Sequence, residues 1–160
     1  LKGHRALWHN QAILREAVFS LNGNLKELGR LAAEVSRFCR ENALTEDAEF
    51  QLNLVLEELF VNTVRHGGCE GVENSARVRL RAVSDGVVVE FADRGRPFDP
   101  TTAPAADVNA PLAERPIGGL GIHLVREIMR DLRYERAGEW NQLRMRRPLA
   151  HIDTGEQPIS

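Results

Sequence analysis

Glu58 and Asn62 stand four residues apart in the run Glu57-Glu58-Leu59-Phe60-Val61-Asn62-Thr63-Val64-Arg65-His66-Gly67. At about 3.6 residues per helical turn they lie one above the other, with His66 a further turn along the same stripe. Leu52, Val55, Leu56, Leu59, Phe60 and Val64 recur around them at helical spacing, so the helix is predicted to be mostly buried. A carboxylate and a carboxamide beside a core-facing stripe need partners, because burying them unpaired is costly. Two arrangements satisfy them: a hydrogen-bond network at a helix edge, or a ligand or metal ion held there.

Two glycine motifs downstream bear on that choice. Asp93-Arg94-Gly95-Arg96-Pro97-Phe98-Asp99-Pro100 follows an apolar run directly. An aspartate ending a strand and facing a cavity can accept a hydrogen bond from an exocyclic amine such as that of adenine. Gly95 lets the backbone turn or approach where a side chain could not. Gly118-Gly119-Leu120-Gly121-Ile122-His123-Leu124-Val125 runs into a helix. Glycines there leave amide N–H groups clear, and a helix N-terminus adds partial positive charge, a combination suited to a phosphate chain. It is neither a Walker loop, since no Lys-Ser/Thr follows, nor a dinucleotide fingerprint, since no short strand feeds it. Taken singly, each motif is more often a structural turn than a site.

The elements that must position these residues alternate. Ile13 to Leu21 reads as a strand ending in the turn-prone Asn22-Gly23-Asn24. Asn24 or a neighbour caps a helix to about Asn42, with Leu25, Leu28, Leu31, Ala32, Val35 and Phe38 on its buried face. Thr45 opens the helix of Glu58 and Asn62, with Glu46, Asp47 and Glu49 where the helix dipole favours negative charge, and Gly67-Gly68 stops it. From Ala76 the period becomes two, and Ser84-Asp85-Gly86 marks a hairpin before a strand over Val87 to Ala92. Residues 94 to 116 form a long aperiodic segment of the kind that serves as a lid. A helix over Leu120 to Arg130 and strands over Leu132 to Ala137 and Trp140 to Arg146, joined at Gly138, complete the order. This predicts a two-layer α/β sandwich, with the helices on one face of a mixed, mostly antiparallel sheet. Arg77, Arg79, Arg81, Arg144 and Arg146 then line the open face, read as a solvated sheet surface more readily than as a docking patch for an acidic partner.

Length and charge bound the rest. A chain of 160 residues suits one domain able to bury roughly two thirds of its unfolded surface. A net charge of −2 without a basic tract gives no footprint for nucleic acid, and no apolar run is long enough for a membrane span. Cys39 and Cys69 match neither a disulfide framework nor a zinc pattern and read as reduced thiols of a cytoplasmic protein. Residues 1–11 are read as linker, 12–148 as the domain and 149–160 as a flexible tail. With Leu rather than Met at position 1, the chain is either standalone or a piece of a fusion.

The three segments in this order are far more specific than any one alone. They resemble the GHKL (Bergerat-type) ATPase superfamily, with its Asn box, Asp-X-Gly box and Gly-X-Gly box, and most closely its anti-sigma-factor serine/threonine kinases. The resemblance spans roughly Ile13 to Pro148. It implies ATP and Mg²⁺ as cofactors, with Asn62 as the Mg²⁺ ligand and Glu58 as the base that polarises an attacking hydroxyl. It further implies Asp93 as acceptor for the adenine amine, with Gly95 and Phe98 shaping that pocket. Gly119, Leu120 and Gly121 would hold the lid hinge and phosphates, and Arg115 could reach the terminal phosphate. His66 either contacts the nucleotide or simply closes its helix. The family's last nucleotide contact, often Thr, falls near Asn141-Gln142. The implied partners are a STAS-type anti-sigma antagonist as substrate, an RNA polymerase sigma factor and a second copy in a homodimer. Two other functions stay open: a nucleotide-responsive binding domain of a larger phosphatase or response-regulator chain, and a histidine kinase catalytic module. The latter is weaker because the N-terminal segment reads as a strand plus one core helix, and His4, His9, His66 and His123 lack the helical-hairpin setting of a phosphoacceptor.

Overall fold

The computed structural model describes residues 15–102, 109, 111 and 119–149. Among these, the order is β1 (Glu16–Leu21), a 3-10 turn (Leu25–Glu27), α1 (Leu28–Glu41), α2 (Glu46–Arg65), β2 (Ala76–Val83), β3 (Gly86–Asp93), α3 (Gly119–Ile128), β4 (Arg130–Ala137) and β5 (Trp140–Pro148).

Capping chemistry sets the helix starts. Asn24 Oδ1 accepts from the Lys26 N–H at 2.9 Å and opens the 3-10 turn, and α1 follows only from Leu28. The single helix expected from Asn24 therefore begins as a tighter turn, common where a helix starts. Leu31, Val35, Phe38 and Cys39 form its buried face, whereas Ala32 is rotated out to solvent. Thr45 Oγ1 accepts from the Ala48 N–H at 3.1 Å to cap α2, and Glu46, Asp47 and Glu49 occupy the favourable first turn.

The strands form one five-stranded sheet in the order β1-β2-β3-β5-β4. All four neighbouring pairs run antiparallel, so the sheet has no parallel pair among the described residues. The period-two pattern sorts the faces. Phe19, Val78, Leu80, Val89, Phe91, Leu143 and Met145 point to the helical layer, where Val35, Phe38, Leu52, Leu56, Phe60 and Val125 meet them in one core. The two-layer α/β sandwich expected from the sequence is the architecture found. At the end of β3 opposite Asp93, Arg147 is buried and ties β5 to α2 through Gln51 Oε1 at 3.0 Å and Asp47 Oδ2 at 3.3 Å.

Some boundaries differ from expectation. β1 begins at Glu16; residues 13 and 14 of the expected strand lie outside the described residues. α3 ends at Ile128 and β4 already includes Arg130; β4 starts irregularly, with φ of +58° at Asp131 and a register shift between Arg130 and Arg133. β5 runs on to Pro148, which pairs with Gly86.

The arginines of the open sheet face pair within it. Glu90 accepts from Arg81 Nη2 at 2.8 Å, with Arg79 and Arg144 at 3.7 and 3.8 Å. Arg146 meets Asp131 at 3.1 Å, and Arg77 and Arg94 both stack on the Trp140 ring. No helix among the described residues is long and apolar enough to cross a membrane.

Candidate active site

The three sequence motifs converge at one end of the sandwich. The C-terminal half of α2, the end of β3, the start of β5 and α3 enclose a cavity of about 510 Å³. Its apolar wall comes from Leu59, Phe91, Ile122 and Leu143, and its polar groups include Asn62, Asp93 and Asn141. A mostly apolar cleft of this size with few polar groups suits a small organic ligand such as a nucleoside.

Close backbone packing brings the first two motifs together. The Arg96 N–H donates to Gly67 O at 3.0 Å, joining the end of α2 to the segment after Asp93. A methyl placed on Gly67 would meet Thr63 O at 2.5 Å and Gly95 Cα at 3.2 Å; one on Gly95 would meet Asp93 Oδ1 at 2.7 Å. Glycine at both positions lets the Asp93 turn lie flat on the helix end. Asn62 O accepts from both the His66 and Gly67 N–H groups at 2.9 Å, which closes α2 at its C-terminus. His66 is that capping residue, exposed, and it also lines the cavity.

The third motif meets the first. Gly121 is buried, and a methyl there would fall 3.0 Å from Glu58 Cδ and closer still to Oε2. The carboxylate of Glu58 therefore rests against the backbone of α3. Neither the Glu58 carboxylate nor the Asn62 carboxamide has a hydrogen-bond partner among the described residues, and neither side chain is buried. Among the described residues, then, no internal hydrogen-bond network holds this pair. Glu57 faces solvent.

Asp93 sits directly opposite Asn141 across the β3–β5 pair. Its Oδ1 accepts from the Gly95 N–H at 2.8 Å and from Asn141 Nδ2 at 2.9 Å. Burial pushes its pKa up, opposed by the Asn141 and Gly95 hydrogen bonds and by the Arg136 charge. Phe98 is half exposed at the cavity rim, and Arg126 Nε donates to Pro100 O at 3.0 Å, anchoring the segment beyond it to α3. Gly119 begins α3, with Leu120 next. Arg115 and most of the expected lid lie outside the described residues.

Sequence reasoning left the last contact between Asn141 and Gln142. The structure separates them: Asn141 points into the site at 5% exposure, and Gln142 is exposed. The alternation with buried Leu143 and Met145 was the available signal. Tyr134, Leu59 and Ile122 were missed as lining residues because their apolar character marks core equally well. Both cysteines are buried and free, and burial raises both thiol pKa values, that of Cys39 to about 11, which suits inert packing.

A family model described as "Histidine kinase-like ATPase domain" matches residues 21–147, a span that includes every element from the end of β1 to β5. The chain belongs to this family. The GHKL resemblance carried by the three motifs is thereby borne out. This histidine kinase-like ATPase domain is 33% identical over 94 residues to a protein named Serine/threonine-protein kinase BtrW from Bordetella bronchiseptica. That match covers 59% of this chain and 66% of the relative, so the chain spans just under two thirds of the relative's length. A solved structure of the RsbU and RsbW domains of Rv1364c from Mycobacterium tuberculosis shares the fold, with a TM-score of 0.61 at 14% identity. It is matched over 84% of this chain and 32% of that one.

Proposed function

We propose that this domain is an ATP-dependent serine/threonine-protein kinase that acts as an anti-sigma factor, phosphorylating a STAS-type antagonist in partner-switching control of transcription. The observation that carries this reading is a nucleoside-sized cavity lined by both Asn62 and Asp93, with Glu58 one helical turn from Asn62 and against Gly121 of α3. Kinship with a protein named a serine/threonine-protein kinase supports the acceptor class.

The residues fit ATP and Mg²⁺ on donor chemistry. Among the described residues no group of three or more His, Cys, Asp or Glu could cage a metal. Mg²⁺ does not require such a cage, because it keeps several waters and takes its other oxygens from phosphates and one or two protein groups. Asn62 Oδ1 is the protein oxygen proposed for it. When bound, the ion would neutralise phosphate charge during transfer.

The chain's own residues do the remaining work. Leu59, Phe91, Ile122 and Leu143 exclude water from the base, and Asp93 accepts from its amine. The N-terminus of α3, which begins at Gly119, is proposed to offer its free backbone N–H groups and the positive end of its dipole to the phosphates. Glu58, one helical turn from Asn62, takes the proton of the attacking serine or threonine hydroxyl at its carboxylate. Phosphoryl transfer rests on such positioning more than on covalent catalysis. His66, Phe98, Leu120 and Arg115 are proposed as further nucleotide contacts, and Gly95 and Gly121 as clearing space for Asp93 and Glu58. A sigma factor is the proposed second protein partner, which places the domain in the cytoplasm.

The test is incubation of the chain with γ-labelled ATP, Mg²⁺ and a STAS-domain antagonist encoded with it. Acid-stable phosphoserine or phosphothreonine on the antagonist is expected. Acid-labile phosphate would indicate histidine kinase chemistry instead, and tight ATP binding without transfer would indicate a nucleotide-responsive binding domain.

A further inference from the structure

Asn141 is nearly fully buried and uses both ends of its carboxamide on the protein. Its Nδ2 donates to Asp93 Oδ1 at 2.9 Å, to Arg96 O at 3.0 Å and to Gly95 O at 3.2 Å. Its Oδ1 accepts from Tyr134 OH at 2.7 Å and from Arg136 Nη1 at 3.0 Å. Three acceptors on one side and two donors on the other leave the amide a single orientation, since a flip would set Nδ2 against two donors. Arg136 Nη1 also donates to Gly95 O at 2.9 Å, so β4 braces both Asn141 and the turn it holds. A hydroxyl side chain at this position could reach out to a ligand; this carboxamide instead points at the acidic residue of the pocket.

The consequence falls on Asp93. Both of its hydrogen bonds within the described residues, from the Gly95 N–H and from Asn141 Nδ2, land on Oδ1. Oδ2 is the remaining oxygen, on a side chain that lines the cavity. We propose that Asn141 is the positioning residue of the base pocket, holding Asp93 Oδ1 so that Oδ2 alone is presented to an amine on the bound purine. This rests on the ATP-site reading above, and it assigns base selectivity to the relay Arg136/Tyr134–Asn141–Asp93 rather than to Asp93 alone. The relay spans three strands, β4, β5 and β3, so the sheet sets the acceptor together with the Gly95 N–H of the turn that follows β3.

Calorimetric titration of the full chain with ATP, and with the purine riboside triphosphate that lacks the exocyclic amine, tests this. The readout is the ratio of the two affinities, which general damage to the pocket leaves unchanged. Wild-type protein should prefer ATP. Asn141→Ala should cut that preference about tenfold, the worth of a buried hydrogen bond to a charged group, while changing affinity for the amine-free analogue far less. An unchanged preference, or equal loss for both nucleotides, overturns the positioning role while leaving the ATP site standing. If wild-type protein binds neither nucleotide, the ATP-site reading fails and this inference with it. Should Asn141→Ala not fold, Tyr134→Phe carries the test, since it removes one donor that orients the carboxamide and leaves Asn141 in place. A fall in preference of about threefold is then expected, and no change overturns the proposal.

Discussion

Gly121→Ala is expected to stop most phosphoryl transfer while leaving the fold intact. A methyl at this position would stand 3.0 Å from Glu58 Cδ, against 3.4 Å or more for an ordinary contact, and nearer still to Oε2. The group in its way is the end of a flexible side chain rather than backbone, so Glu58 yields by rotating and α3 keeps its place. Alanine is better than glycine in a helix by up to about 1 kcal/mol, which offsets the steric cost and keeps the melting temperature near that of wild type. The carboxylate oxygen, however, must move by about 1 Å, and a misplacement of that size in a reacting group costs about 10²-fold in rate. Single-turnover transfer of γ-labelled phosphate at saturating ATP should show that loss, with ATP affinity changed only a few-fold. A wild-type rate in a folded Gly121→Ala protein would refute the link between Gly121, Glu58 and catalysis. So would a fall in ATP affinity large enough to account for the whole effect.

Asp93→Asn should separate stability from binding. Burial raises the Asp93 pKa, so its charge opposes folding above that pKa; the neutral amide should leave thermal stability at neutral pH equal or higher, by differential scanning calorimetry. ATP affinity should nonetheless drop about tenfold, and more than affinity for the amine-free analogue. In wild-type protein, ATP binding should weaken as pH falls through the raised Asp93 pKa, because protonation removes the ionised acceptor, and the Asn variant should lack that step; a pH-independent wild type would contradict the assignment. Gly67→Ala meets backbone on both sides, Thr63 O at 2.5 Å and Gly95 Cα at 3.2 Å. Overpacking of this kind should cost about 1–3 kcal/mol in a urea melt, and unchanged stability would show that the α2 end and the Asp93 turn are not locked together.

Most of the fold was legible because its signals are local. Leu52, Val55, Leu56, Leu59 and Phe60 keep one helical period, and Val78, Leu80 and Ala82 keep a strand period, so α2 and β2 could be placed from neighbours in sequence. Thr45 and Asn24 announce helix starts through side-chain oxygens that act within a few residues. The site was legible in its outline for the same reason: Glu58, Asn62, Asp93 and Gly121 sit in short motifs. What could not be read is contact at long range. Asn141 lies 48 residues from Asp93, and its five partners are fixed by register between strands, which neither motif encodes. Nor could sequence show that Gly121 makes room for the Glu58 carboxylate, since the two residues lie on different helices, far apart in the chain. Nor did the sequence mark the irregular start of β4, where Asp131 is left-handed, a conformation open to aspartate but not demanded by it.

The claim on which the rest depends is that Glu58 serves the chemistry and not the binding of nucleotide. Glu58→Gln is nearly isosteric, so ATP-Mg²⁺ titration and label transfer to the STAS-domain antagonist, run side by side on the wild-type and variant proteins, isolate the carboxylate. ATP affinity within a few-fold of wild type, together with loss of acid-stable phosphoserine or phosphothreonine by about 10²-fold or more, is the expected result. Undiminished transfer by Glu58→Gln would contradict it.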